Sequence, residues 1–389
     1  MTTEQPAPGR DAPLVSRFRG CLLGGAVGDA LGAPVEFWSR SEITLHFGPE
    51  GVRDYMPAYG HIGAITDDTQ MTLFTADALL RSHVRGSTKG IGAHGGLMRR
   101  SYLRWYRTQG YSHGEVDDGH MDGWLLTHRD LFAQRAPGNT CLTALRESED
   151  EFSANNESKG CGTVMRVAPI GLYWSHSQHG DAAPEEAFRL GMRSSLITHG
   201  HVTATLSAGF LSALITLICR DRSVEQAIDE SIALLVAHSG YEETLDAVEA
   251  ARVAAMQSPN DPDQLALLGE GWVAEEALAI ALYCALGCED FESALSLAVS
   301  HDGDSDSTGA IAGNILGALM GEQAIPQRWL APLELRDVIA EIADDLAKYP
   351  DWNLCGGLLP WEPDNPTLTA EIEAGLIETD RMVTRYPPY

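Results

Sequence analysis

Two acidic clusters hold the side chains best suited to chemistry. The first is Thr66-Asp67-Asp68-Thr69, just before an apolar helical pattern that begins at Met71. Helix capping accounts for one or two of these residues, because Thr or Asp at a helix start accepts orphan N–H groups, but not for four adjacent oxygen-bearing side chains. The second is His301-Asp302-Gly303-Asp304-Ser305-Asp306-Ser307-Thr308-Gly309. Its alternating aspartates fail as a calcium loop in both registers. Starting at Asp302 puts Ser307 where glycine is needed, and starting at Asp304 ends the loop at Ile315 instead of glutamate. A solvated acidic turn is the plain alternative. Against it, the cluster opens a run of Ala, Gly and Ile that should be buried, and buried carboxylates must be paired or hold cations. Carboxylates and hydroxyls without a Cys or His cluster are hard ligands, suited to Mg²⁺, Mn²⁺ or Ca²⁺ rather than Zn²⁺. If the clusters converge, four or five acidic groups surround one pocket, enough for two divalent ions.

Three other stretches could complete such a site. Gly24 to Glu36 reads GGAVGDALGAPVE, with Asp29 and Glu36 its only charges. Its glycines do not fit G-x-G-x-x-G and no strand precedes it, so it is not a dinucleotide fingerprint. Gly160-Cys161-Gly162-Thr163-Val164-Met165-Arg166 is a Gly-rich turn that could offer backbone N–H groups to a phosphate, or simply enter a helix. Thr198-His199-Gly200-His201 precedes the Val202 helix, where a structural or capping histidine is the simpler reading. Neither a Walker motif nor G-x-S-x-G is present.

The elements that must position these residues are helical. Leu335, Val338, Ile339, Ile342 and Leu346 share one helix face, with Asp337, Glu341 and Asp345 mostly opposite. Met71 to Leu80 and Val273 to Cys284 repeat the pattern, while strand and two-residue hairpin signals are thin. Many of the 39 glycines fall inside helical segments, notably CLLGGAVGDAL at Cys21 and IAGNILGAL at Ile311. Each costs about 1 kcal/mol of helix stability relative to Ala, so small residues there predict axes packed very closely at the centre. The organisation expected is a flexible tail over 1–14, one all-α domain over 15–350, and a loosely structured C-terminal extension over 351–389.

Composition sets outer limits. With 27 Lys+Arg and 55 Asp+Glu, 27 − 55 gives a net charge of −28, which disfavours nucleic-acid and anionic-membrane partners. The most apolar run, Phe210 to Cys219, is short of the ~20 residues of a spanning helix, and the N-terminus lacks the pattern of a secretory signal. Seven scattered cysteines without a CxxC pair read as free thiols in a reducing cytoplasm.

Taken in order, GCLLGGAVGDALGAPVEF, TDDT, GCGTVMRVAPIG, THGH and GDSDSTGAIAGNILGAL resemble the ADP-ribosylglycohydrolase family, the dinitrogenase reductase-activating glycohydrolase and its relatives, over roughly Arg17 to Leu346. The resemblance implies an all-α fold, a compact single-domain orthogonal helical bundle with a dimetal site at helix N-termini. It implies two Mg²⁺ or Mn²⁺ ions held by Thr66, Asp67, Asp68, Asp304, Asp306 and Ser307, the last standing where the family usually has Thr. Asp302, often Gly in the family, would add an outer carboxylate. Glu36 aligns with a mobile acidic residue beside the site, and it shares the catalytic role with Asp67 and Asp304. Gly160, Gly162, Thr163, Met165 and Arg166 would hold the diphosphate and distal ribose, with His199 nearby.

The activity implied is metal-dependent hydrolysis of the C1″ bond between ADP-ribose and an acceptor, most readily arginine on a protein. Positive charge spreads over the ribose as the acceptor leaves, the metals grip the ribose hydroxyls and polarise a water, and Glu36 or a metal-bound Asp takes the proton. The partner is then an ADP-ribosylated protein or an ADP-ribose conjugate. Two alternatives stand beside this reading. One is an ADP-ribose-binding or immunity protein that blocks an ADP-ribosyltransferase with little turnover. The other is a two-metal phosphatase.

Overall fold

The computed structural model describes residues 12–92, 94–116, 118–147, 154–354 and 366–389; most of the expected N-terminal tail, residues 1–11, lies outside them. The described chain is 68% helical, with 17 α-helices. Its centre is a seam between the first helix, Leu14–Gly32, and the helix Ser305–Met320. Gly20, Gly24 and Gly28 lie one turn apart and face Gly317, Gly313 and Gly309 in reverse order. A Cβ at any of these positions would strike the opposing backbone carbonyl. This is the close packing that the small residues predict, here an antiparallel glycine seam.

The seam sets the site. At its end Gly32 abuts the Ser305 carbonyl and the Asp306 N–H, so the C-terminal end of the first helix meets the N-terminal end of the Ser305 helix. Glu36 follows four residues later on a tight turn, held by the Phe37 N–H donating to the Gly303 carbonyl at 3.3 Å. The next helix, Arg40–Phe47, opens with a reciprocal Ser39/Glu42 capping box.

Around this seam pack the helices Val202–Cys219, Ala274–Gly287 and Arg336–Lys348. Val202–Cys219 is a longer apolar helix than the Phe210–Cys219 run suggests. By length and composition it could cross a membrane, but 94% of it is buried inside the fold. Cys284 is buried, while Cys288 lies just past its helix and is half-buried. None of the six described cysteines is paired.

Two expectations need correction. The strands Pro57–Ala58 and His61–Ile62 do form a hairpin, with Tyr59 (φ 50°) and Gly60 (φ 84°) as a left-handed pair. Tyrosine rarely takes that conformation, so the turn carries no sequence signal. Residues 366–389 of the C-terminal extension are also structured rather than loose. Pro366–Arg385 is a helix, Arg385 pairs with Asp345 at 2.7 Å, Tyr386 is fully buried, and Arg81 donates to the Pro387 carbonyl at 3.1 Å.

Candidate active site

Both acidic clusters open helices, and both helices end in one cleft. Asp67–Lys89 begins at the extended cap Thr66, whose hydroxyl accepts the Asp68 N–H at 3.3 Å. Ser305–Met320 begins at Asp304, whose carboxylate accepts the Ser307 N–H at 3.3 Å. Asp306 shares that donor at 3.0 Å. Gly303 (φ 110°) makes the sharp entry, and a side chain there would run into the Glu270 carbonyl, which instead accepts the Asp304 N–H at 2.9 Å. Glu36, Asp67, Asp68, Asp304, Asp306 and Ser307 line a cleft of about 660 Å³, counting its open mouth.

The four aspartates of this wall are only 3–4% exposed, as the apolar run behind them predicts. None of them forms an ion pair with lysine or arginine among the described residues, and Asp68 Oδ1 has no hydrogen-bond partner at all. Burial pushes the Asp67, Asp68 and Asp304 carboxyls well above the usual range, and repulsion from neighbouring carboxylates adds to it. Glu36 is pushed up to about 9 by burial and then by Asp306, Asp67 and Asp29. Burial raises Asp306 as well.

Buried carboxylates without ion-pair partners must either stay protonated or take up cations. No three carboxylate, thiol or imidazole groups among the described residues close tightly around a point as they stand. The donor set nevertheless fits hard divalent ions: five oxygen-bearing side chains from two helix starts, an orphaned buried carboxylate oxygen, and no lysine or arginine lining the cleft among the described residues.

The structure separates the residues of the Gly-rich stretch. Gly160, Cys161, Gly162, Met165 and His199 line the cleft. Thr163 and Arg166 do not, and their expected contact with substrate is corrected here. Thr163 is fully buried and donates to the Ala204 carbonyl at 3.3 Å. Arg166 is fully buried, donates to Thr198 Oγ1 at 2.7 Å and the Ser194 carbonyl at 3.1 Å, and stacks 4.4 Å from the Tyr102 ring centre. It is a strut behind the site. Through Thr198, whose hydroxyl lies 2.8 Å from His199 Nδ1, it fixes the imidazole. Burial, then Arg166, lowers His199 to about 3, so the ring stays neutral. The turn also spends backbone donors internally: Cys161 N–H goes to the Trp272 carbonyl at 3.2 Å and Gly160 N–H to Ser158 Oγ at 3.4 Å. Asp302, expected as an outer carboxylate, is exposed and accepts the Arg40 N–H at 3.0 Å.

Three contributors escaped the sequence reading. Asp29, fully buried, accepts the N–H groups of Thr66 (3.0 Å) and Thr69 (3.1 Å) and so holds the first cluster in place. Ala136, Gly138 and the first turn of the helix Asn139–Glu147 line the cleft, and the Gly138 N–H donates to Asp67 Oδ2 at 3.1 Å; the signal was the turn sequence Pro137-Gly138-Asn139. Trp272 lines the mouth and stacks on Phe37 at 5.1 Å between ring centres.

A helical fold in which two acidic helix starts share one cleft defines a class, and comparison with known proteins names it. The ADP-ribosylglycohydrolase family model matches residues 10–354, and the chain belongs to that family of hydrolases. It is 30% identical to an uncharacterised protein of Archaeoglobus fulgidus, covering 86% of this chain and 96% of that one. It is 25% identical to the ADP-ribosylarginine hydrolase Tri1 of Serratia proteamaculans, over 86% of this chain and 80% of the relative. Among solved structures, an ADP-ribosylglycohydrolase-related protein complex matches with a TM-score of 0.61 and 27% identity, over 87% of this chain and 98% of that one.

Proposed function

We propose that this protein removes ADP-ribose from ADP-ribosylated arginine on a protein, in a reaction that depends on two Mg²⁺ or Mn²⁺ ions. The observation that carries the reading is the unneutralised wall of Asp67, Asp68, Asp304 and Asp306 in a chain of this family. The arginine acceptor is supported by the likeness to Tri1, whose name states that specificity.

Thr66, Asp67, Asp68, Asp304, Asp306 and Ser307 would hold the ions, which when bound supply charge to anchor the ribose hydroxyls and activate water. Gly160, Gly162, Met165 and neutral His199 line the same cleft and would orient the ADP-ribose in it. Glu36, half-buried on the turn at the mouth and ionised once bound cations offset the carboxylates that raise it, takes the proton from the attacking water. The six unpaired cysteines fit a reducing compartment such as the cytoplasm.

The test is a panel of arginine-, serine-, O-acetyl- and nucleobase-linked ADP-ribose, incubated with Mg²⁺ or Mn²⁺ and with chelator. Release of ADP-ribose from the arginine conjugate alone, abolished by chelator, is the expected result. Tight binding without release would favour a protein that only captures the modification, and free phosphate would favour a phosphatase.

A further inference from the structure

Two aromatic residues near Glu36 sit on backbone that bulky side chains rarely adopt. Phe37 has φ 69° and Tyr59 φ 50°, in the left-handed region where strained residues concentrate at functional sites. Core packing does not account for the strain, because both rings are open to solvent, Phe37 to 72% and Tyr59 to 44%. Each is braced from one side. The Trp272 ring stacks on Phe37 with 23° between the planes, and its Nε1 donates to Glu270 Oε2 at 3.1 Å. The Arg135 guanidinium lies 5.1 Å from the Tyr59 ring centre and pairs with Glu334 at 2.8 Å. The Arg135 carbonyl accepts the Asp67 N–H at 2.9 Å, so Tyr59 is tied to the start of the first acidic helix. Burial, then Asp306 and Glu36, raises its phenol. Neither ring lines the cleft itself; both stand at its rim.

We propose that Phe37 and Tyr59 form the acceptor subsite, an aromatic rim that receives the planar guanidinium of the modified arginine and so sets the acceptor class. The proposal rests on the reading of this protein as a hydrolase of ADP-ribosylated arginine. An ADP-ribose seated in the cleft with its C1″ bond at Glu36 leads its acceptor outward, over the rim. Aromatic faces attract a guanidinium, and a carboxylate beside them adds to the field. Glu36 supplies that carboxylate, and Tyr59 already carries one guanidinium, that of Arg135. A serine acceptor is neutral and gains no such attraction.

The test measures steady-state hydrolysis by the full-length protein with Mg²⁺, on an arginine-linked and a serine-linked ADP-ribosyl peptide. ADP-ribose binding is followed in parallel by calorimetry. Phe37→Ala and Tyr59→Ala should each raise KM for the arginine peptide about 3- to 30-fold, the worth of one cation–π contact, and change kcat less than about threefold. ADP-ribose affinity should stay within about twofold of wild type, which also shows that the variants fold. Tyr59→Phe and Phe37→Tyr keep the ring and should keep the wild-type KM. Phe37→Gly removes the ring while relaxing the left-handed turn, so a raised KM there does not come from added strain. An unchanged KM in both alanine variants, a KM raised equally for the serine peptide, or a parallel loss of ADP-ribose affinity overturns the rim proposal and leaves the hydrolase reading intact. A wild-type protein that does not cleave the arginine peptide overturns the arginine reading, and the rim with it.

Discussion

Asp29 and Thr66 belong to different helices, yet the Asp29 carboxylate accepts the Thr66 N–H with both oxygens at 3.0 Å. The same carboxylate takes the Thr69 N–H at 3.1 Å and the Thr69 hydroxyl. A side chain from the glycine seam thus organises the start of the helix that carries Asp67 and Asp68. Position along the seam and geometry of the acidic wall are coupled through it.

That coupling has a pH signature. Burial, then Asp306, pushes Asp29 up to about 7, and Glu36 stands at about 9. A carboxyl whose folded pKa exceeds its unfolded value holds its proton more tightly when folded. Its contribution is fully present below the unfolded value, about 4, and is lost as pH rises through the folded value. The metal-free protein should therefore lose thermal stability between about pH 4 and pH 9. Melting in chelator across this range should show falling midpoints, with Mg²⁺ or Mn²⁺ raising them most at the alkaline end. Midpoints that rise with pH would contradict the raised carboxyls.

The seam itself can be tested at Gly313. Ala is a better helix former by about 1 kcal/mol, so an exposed Gly→Ala change would stabilise. Here the added methyl meets the Gly24 carbonyl, and overpacking of this kind costs about 1–3 kcal/mol or more. Gly313→Ala should lower the denaturation midpoint and, by spreading the helix starts, weaken divalent-ion binding. Gly86→Ala, where nothing lies near the new methyl, is the control expected to be neutral or stabilising.

How much of this was legible in sequence depended on whether the signal was local. The helix Arg336–Lys348 and its buried face follow from Val338, Ile339, Ile342 and Leu346, because a 3.6-residue period needs only its own residues, while Leu335, read as part of that face, stands just before the helix at φ 55°. The acidic helix starts were legible for the same reason. Asp29 was not, because a carboxylate serving N–H groups from 37 and 40 residues away looks like any isolated acid in a helix. Arg166 misled in the opposite sense. An arginine closing a Gly-rich turn reads as a phosphate ligand, and only the packing of Tyr102, Ser194 and Thr198 around it shows a buried strut.

Glu36 separates chemistry from ion binding. It lies on the turn between Gly32 and the Arg40 helix, half-buried at the mouth. Glu36→Gln keeps the shape and removes the proton acceptor, so turnover should fall by about 10²- to 10⁴-fold, the usual worth of a general base. Bound Mg²⁺ or Mn²⁺, counted by elemental analysis after gel filtration, should stay nearly unchanged. Loss of both ions would place Glu36 among the ligands instead.

The acidic wall makes the sharpest prediction, at Asp67→Asn and Asp304→Asn. Each change removes one negative charge and weakens a hard oxygen donor, so affinity for at least one divalent ion should fall. Each also relieves repulsion among carboxylates that are only 3–4% exposed. Without metal, therefore, the variants should melt at or slightly above the wild-type temperature, where loss of an ordinary buried contact would lower it. Ions that bind only the folded state stabilise it in proportion to their occupancy. Added Mg²⁺ or Mn²⁺ should then raise the wild-type midpoint more than that of either variant. The two curves should cross as metal is titrated in, and hydrolysis should drop steeply in both variants. Variants that melt lower than wild type without metal and respond equally to added ions would mean that Asp67 and Asp304 serve only as helix-start residues.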